Sequence, residues 1–117
     1  MEASVEHMRR NTVRHIDTLF IVVEPYYRAL EAGARLFRLA AEIPIKNVYA
    51  IANKVRNTAE ESAIRTFCEQ RQMPIAVVIP YDESVGRADL MGKALIDTEP
   101  TASSVKAIER LVAEVFA

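Results

Sequence analysis

The sequence predicts an α/β domain: a three-stranded parallel sheet flanked by helices. Three observations lead there. Residues 19–23, 48–52 and 75–79 are short apolar runs rich in β-branched side chains. Each is too short for a free-standing helix and lacks the apolar–polar alternation of a half-buried strand. Each therefore reads as a strand covered on both faces. The segments between them carry helical periodicity, and strand–helix alternation implies parallel strands joined by right-handed crossovers.

In chain order, residues 1–15 place Ala3, Val5, Met8 and Val13 along one side of a short helix, with Glu2, Glu6, Arg9, Arg10 and Arg14 between them. No turn chemistry precedes this segment, so the domain is expected to start partway through a fold. The 19–23 strand stops at Glu24-Pro25, because proline has no N–H for the ladder. Residues 26–42 read as a helix. Arg28, Glu31, Arg35, Arg38 and Glu42 form its charged stripe, and Leu30, Phe37, Ala40 and Ala41 face the sheet.

The 48–52 strand ends abruptly in Asn53-Lys54. Thr58 and Glu61 have capping-box spacing, which predicts a second helix over 59–72 with Ile64, Phe67 and Cys68 inward. Met73-Pro74 breaks it. The 75–79 strand stops at Pro80. Asp82 or Ser84 is then expected to cap a short helix, which Gly92 ends in the left-handed conformation. Residues 93–100 read as a connector. Residues 101–116 form a last helix, with Val105, Ile108, Leu111, Val112 and Val115 at helical spacing.

Length and composition narrow the function. The 117 residues suit one domain, which at this size buries roughly two-thirds of its unfolded surface. A core therefore forms without disulfides or metal. The net charge is −1 and the signs are interspersed, so no basic block favours nucleic acid. A single Cys cannot pair internally, which points to a reducing, cytoplasmic setting. No run approaches the ~18 apolar residues of a membrane span, and residues 1–14 have no signal-peptide core.

In open parallel sheets, ligands sit beyond the carboxyl ends of the strands. Asn53 and Lys54 stand at one such end. An Asn amide offers a donor and an acceptor to a purine edge, and a Lys stem can lie along a base. The same pair also suits a turn with a solvated cation. Pro80-Tyr81-Asp82, at the next strand end, is either a stiff turn beside a base or a strand stop with a helix cap. Glu24 and Pro25, followed by Tyr26 and Tyr27, suit a ligand or subunit contact, or a helix entry with Pro near its first position.

His7 and His15 have no ligand partners at metal spacing, and Cys68 reads as a small core residue. No catalytic constellation is present. There is no G-x-x-x-x-G-K-[ST] anywhere, and the three glycines stand at 33, 86 and 92. Together these features describe the base-reading half of a nucleotide-binding α/β domain whose phosphate-binding half is missing.

The quoted stretches resemble a known family. Met1-Glu2-Ala3-Ser4-Val5-Glu6-His7, Val22-Val23-Glu24-Pro25, Asn47-Val48-Tyr49 through Asn53-Lys54-Val55-Arg56, and Ile79-Pro80-Tyr81-Asp82 with Ala88-Asp89 and Gly92 are similar to the CooC-type ATPases. These are the nickel-insertion, carbon monoxide dehydrogenase maturation proteins, relatives of MinD/ParA and of the nitrogenase iron protein. The resemblance runs along essentially the whole chain. It implies a partial P-loop NTPase fold, Rossmann-like and lacking the P-loop half, with residues 1–117 as its C-terminal part.

The resemblance also implies ATP or ADP with Mg²⁺ in the complete protein, a homodimer or a missing N-terminal half as partner, and a nickel enzyme as client. Asn53 would contact the adenine with Lys54 beside it, and Pro80, Tyr81 and Asp82 would line the base's other side. Residues 1–15 would be a remnant of the switch II region. Glu2, Ser4, Glu24 and Pro25 would be the chain's switch or dimer-face candidates, Ser4 standing where the family usually has Gly. The phosphate loop, the catalytic Lys, the Mg²⁺ ligand and the Cys-x-Cys site of some members would lie upstream. The chain alone is then expected to hold no metal, bind no nucleotide tightly and hydrolyse no ATP. The alternative is a stand-alone, non-catalytic dimerisation or interaction module that uses the open sheet edge beside residues 19–23. An unrelated flavodoxin-like domain is a third reading, unsupported by any phosphate-cradling loop.

Overall fold

The computed structural model describes residues 17–115. Three strands, β1 (Thr18–Val23), β2 (Asn47–Val55) and β3 (Ile75–Pro80), lie in the order β1-β2-β3. Both pairings are parallel. The helices are α1 (Tyr27–Ala40), α2 (Thr58–Gln70), α3 (Glu83–Leu90), the single turn α4 (Leu95–Thr98) and α5 (Ser103–Val115). The α4 turn falls inside the expected connector. The expected 1–15 helix, with Glu2, Ser4, His7 and His15, lies outside the described residues, as does Phe116.

One core lies between the sheet and the two crossover helices. Ile21, Val23, Ala50 and Ala52 meet Leu30 and Ala34 of α1 and Ile64, Phe67 and Cys68 of α2. Close approach is set by a glycine: a Cβ on Gly33 would collide with Val23 Cγ1. Cys68 is fully buried and unpaired, and burial pushes its thiol pKa up. Burial of this kind makes a structural, inert cysteine.

The opposite sheet face is covered only in part. α5 packs on β3, and Val105 and Leu111 are buried there. β1 corrects the expectation of cover on both faces. Val23 is 1% exposed but Val22 is 59% exposed, because no described element lies over that side of β1. Phe20 and Tyr49, register partners on the same side, stack with ring centroids 6.1 Å apart.

Capping differs from the expectation by one residue. Asn57, not Thr58, caps α2: its Oδ1 accepts from the Glu60 N–H, and Glu60 reaches back to accept from the Arg56 N–H at 2.9 Å. Asn is at least as good a cap as Thr, and Thr58 becomes the first helical residue. Pro25 likewise precedes the N-cap of α1, Tyr26, and does not stand at its first helical position.

Candidate nucleotide-base site at the strand ends

The carboxyl end of β2 is irregular, and the irregularity aims its side chains. Register shifts between Ala52 and Val55, and Lys54 sits in the left-handed region with φ 58°. Lys54 is the extra residue of a bulge. It returns Val55 to the core side already occupied by Ala52, and Val55 is buried in that core. Bulges of this kind re-aim side chains. A left-handed non-glycine residue costs about 1 kcal/mol, so the sheet holds Lys54 against its own preference. The sequence placed Asn53 and Lys54 just after the strand, whereas β2 continues through them to Val55.

Lys54 Nζ reaches Glu24 Oε1 at 3.3 Å, bridging the ends of β1 and β2. The Tyr26 phenol lies against the same carboxylate, and its hydrogen bond to Glu24 is the largest cause of its raised pKa. Asn53 is half-buried, and its amide takes part in no hydrogen bond with a described residue. It is an uncommitted polar group at this end of the sheet.

At the end of β3 the arrangement is locked. The Tyr81 N–H donates to Val55 O at 2.9 Å, which carries the ladder past the proline. Asp82 caps α3 by accepting from the Ser84 N–H at 2.9 Å. Its other oxygen accepts from the Ser104 hydroxyl at 2.8 Å and the Ser104 N–H at 3.2 Å, with the Ser103 hydroxyl at 3.5 Å. One carboxylate therefore ties together the amino ends of α3 and α5. These bonds, the Ser104 hydroxyl foremost, hold its pKa down at about 2. Sequence reading found the Asp82 cap but not the α5 tie, because Ser103 and Ser104 lie some twenty residues downstream and carry no local signal.

Asn53, Lys54, Pro80, Tyr81 and Asp82 thus stand at the carboxyl ends of neighbouring strands, and Glu24 and Pro25 stand at the end of β1 beside them. Tyr81 is 53% exposed. Behind Asn53 runs an apolar cleft of about 830 Å³, floored by Val22, Ile51 and Ile79 and walled by Val105, Ile108 and Val112. This cleft was not anticipated, although its α5 wall was visible as helical spacing. Among the described residues, no three His, Cys, Asp or Glu side chains gather to hold a metal. No described helix is long and apolar enough to cross a membrane.

Comparison with known proteins finds relatives of this chain. The chain is 34% identical over 100 residues to the carbon monoxide dehydrogenase accessory protein CooC of Rhodospirillum rubrum, covering 86% of this chain and 37% of that protein. The chain is a homologue of the CooC-type ATP-binding proteins. It is also 36% identical over 95 residues to an ATP-binding protein of Methanocaldococcus jannaschii, covering 81% of this chain and 37% of that relative. The homologue therefore spans less than half the length of the curated relatives it matches. No family profile matches it.

Solved structures show the same fold. A ParA family ATPase of Chlorobium tepidum superposes with a TM-score of 0.71 at 25% identity, over 90% of this chain and 43% of that one. The MinD protein of Pyrococcus horikoshii, solved with Mg-ADP, superposes with a TM-score of 0.68 at 18% identity, over 85% of this chain and 41% of that one. The three parallel strands and their helices are thus part of a P-loop NTPase fold.

Proposed function

We propose that this CooC homologue is the adenine-reading, C-terminal half of an ATP-binding metallocentre-assembly ATPase of the nickel-insertion type. The observation that carries the proposal is Asn53. Its amide takes part in no hydrogen bond with a described residue, and it stands beside a bulge at the carboxyl end of the middle strand, at the rim of the apolar cleft and next to the strand end that Asp82 caps. Asn53 supplies a donor and an acceptor to the adenine edge. The Lys54 stem lies beside the base, and Pro80 and Tyr81 form its other side. With its carboxylate committed to four donors, Asp82 fixes the loop. Glu24 and Pro25 belong to the face that meets a second subunit, and Glu2 and Ser4 to the switch segment.

The described residues suit the base end of ATP or ADP and offer no cluster for Mg²⁺. The sequence has no phosphate loop, and phosphate contacts supply much of nucleotide affinity in such folds. The chain by itself is therefore a non-hydrolysing binder at best. In the complete protein it would work in the cytoplasm as part of a dimer, with a nickel enzyme as client.

The test is a titration of the ¹⁵N-labelled chain with ADP, followed by NMR. The expected result is weak binding, with Kd in the millimolar range or above (about −4 kcal/mol or less favourable). Shifts should centre on Asn53, Lys54 and Tyr81 and disappear in Asn53→Ala. Micromolar affinity, or shifts centred elsewhere, would sink the reading. A second reading, a stand-alone interaction module, is favoured by the outer edge of β1, which pairs with no described strand, and by the exposure of Val22 beside it.

A further inference from the structure

We infer that a notch between the last turns of α1 and α2 is a binding site for a small organic carboxylate with an apolar body. The notch lies in the helical layer, toward the amino ends of the strands. It shares no residue with the base site or with the apolar cleft, and the inference does not depend on the nucleotide reading.

The notch is built from two helix ends. α1 and α2 each leave the carboxyl end of one strand and return toward the amino end of the next. Ala34, Phe37 and Ala41 recur at steps of three and four, so they share one face of α1 and form an apolar wall. Arg38 stands beside that wall, and Arg71, just past α2, closes the other side. The cavity holds about 370 Å³, within the usual range for small-molecule sites.

Arg71 decides the chemistry. It is half-buried, whereas the other described arginines are exposed. Its guanidinium stacks on Phe67, with Cζ 3.5 Å from the ring centroid, and one N–H donates to Phe67 O at 3.2 Å. Its remaining donors meet no described residue, and the Arg38 guanidinium makes no hydrogen bond or ion pair with a described residue either. Glu31 pairs with neither arginine; its carboxylate is engaged by the Tyr27 phenol.

Two cations thus share one small cavity with no carboxylate between them, and a bound anion relieves their repulsion. A planar carboxylate matches a guanidinium fork with two parallel hydrogen bonds. The stack and the Phe67 carbonyl hold that fork in place beforehand, which lowers the ordering cost of binding. The apolar wall offers no donor to the further oxygens of a bare inorganic ion, but it suits a ring or a branched chain. The ligand class is therefore an aromatic or branched-chain carboxylate.

The experiment titrates the ¹⁵N-labelled chain, without nucleotide, with 4-ethylbenzoate, its neutral amide 4-ethylbenzamide and acetate. The expected Kd for 4-ethylbenzoate is about 1 mM or tighter, with shifts centred on Ala34, Phe37, Arg38, Ala41 and Arg71. The amide lacks the charge and acetate lacks the body, so each should bind at least about tenfold more weakly. Arg71→Gln should abolish binding. Arg38→Gln and Ala41→Leu change exposed residues, so both should fold even if Arg71→Gln does not. Each should weaken binding about tenfold, the first by removing a charge and the second by filling the cavity while keeping both arginines.

Equal binding of the amide overturns the inference, as does unchanged affinity in Ala41→Leu. Shifts centred on Val22 and Ile108 also overturn it, because they place the molecule in the apolar cleft. So does the absence of saturable binding. ADP is absent throughout, so failure of the adenine reading would leave these outcomes unchanged.

Discussion

Val22 and Val23 are consecutive residues of one strand, chemically identical, and one is 59% exposed while the other is 1% exposed. The side of the sheet beneath α1 and α2 is packed so closely that a glycine is needed at 33. The side that α5 shares with the cleft leaves apolar residues bare. A continuous apolar run encodes cover for both faces but does not encode where the cover comes from. Crossovers that advance in one direction deliver helices to one face only. The other face depends on elements with a different origin, α5 among them.

The contrast predicts a descending series of effects. Ile64→Ala, at a site 1% exposed in the closed core, should destabilise the chain most, by about 2–5 kcal/mol, read from chemical unfolding. Asp82→Ala removes a cap from α3 and the tie to α5, for about 1–3 kcal/mol.

Asp82 also makes a pH prediction. Its folded pKa is depressed from 3.8 to about 2, so its contribution is complete above pH ~4 and is lost as pH falls from there through ~2. Asp82→Asn should flatten that part of the stability–pH curve. An unchanged acid limb would show that the carboxylate is not the clamp described.

Gly33→Ala should cost about 1–2 kcal/mol. The collision with Val23 outweighs the roughly 1 kcal/mol that alanine returns in a helix. Gly86→Ala sharpens the comparison. A Cβ there meets nothing within 4 Å, so the same substitution should stabilise α3 by up to about 1 kcal/mol.

The smallest effect belongs to the open face: Val112→Lys should change the stability of the chain alone by no more than about 0.5 kcal/mol. A loss of several kcal/mol would mean that the cleft is already covered. Lys54→Gly separates strain from function at the strand end. It relieves the left-handed residue and gives up an exposed ion pair worth about 0–1 kcal/mol. Stability should therefore stay level or rise slightly, while ADP-induced shifts at Asn53 weaken.

Several features could be read locally. The strands were legible because β-branched apolar runs between proline and helix signals have few other outcomes. The left-handed end at Gly92 (φ +66°) follows from its lack of a Cβ. The α2 cap was misplaced by one residue because Asn57 and Thr58 are both good caps, each with a Glu three residues on. The bulge at Lys54 was not legible, because lysine carries no preference for φ > 0. That conformation is imposed by Val55 reaching the core.

The amino-acid sequence alone determined the α/β alternation, the polar residues that end each strand and the absence of a phosphate loop. These depend on residue type and short spacing, and the physics that reads them is local. Tertiary structure decided the rest. It left the Asn53 amide uncommitted and bound the Asp82 carboxylate across some twenty residues to Ser104. It also left Val22 bare beside a buried Val23. These properties arise only when distant segments meet, or fail to meet, on the two faces of one sheet.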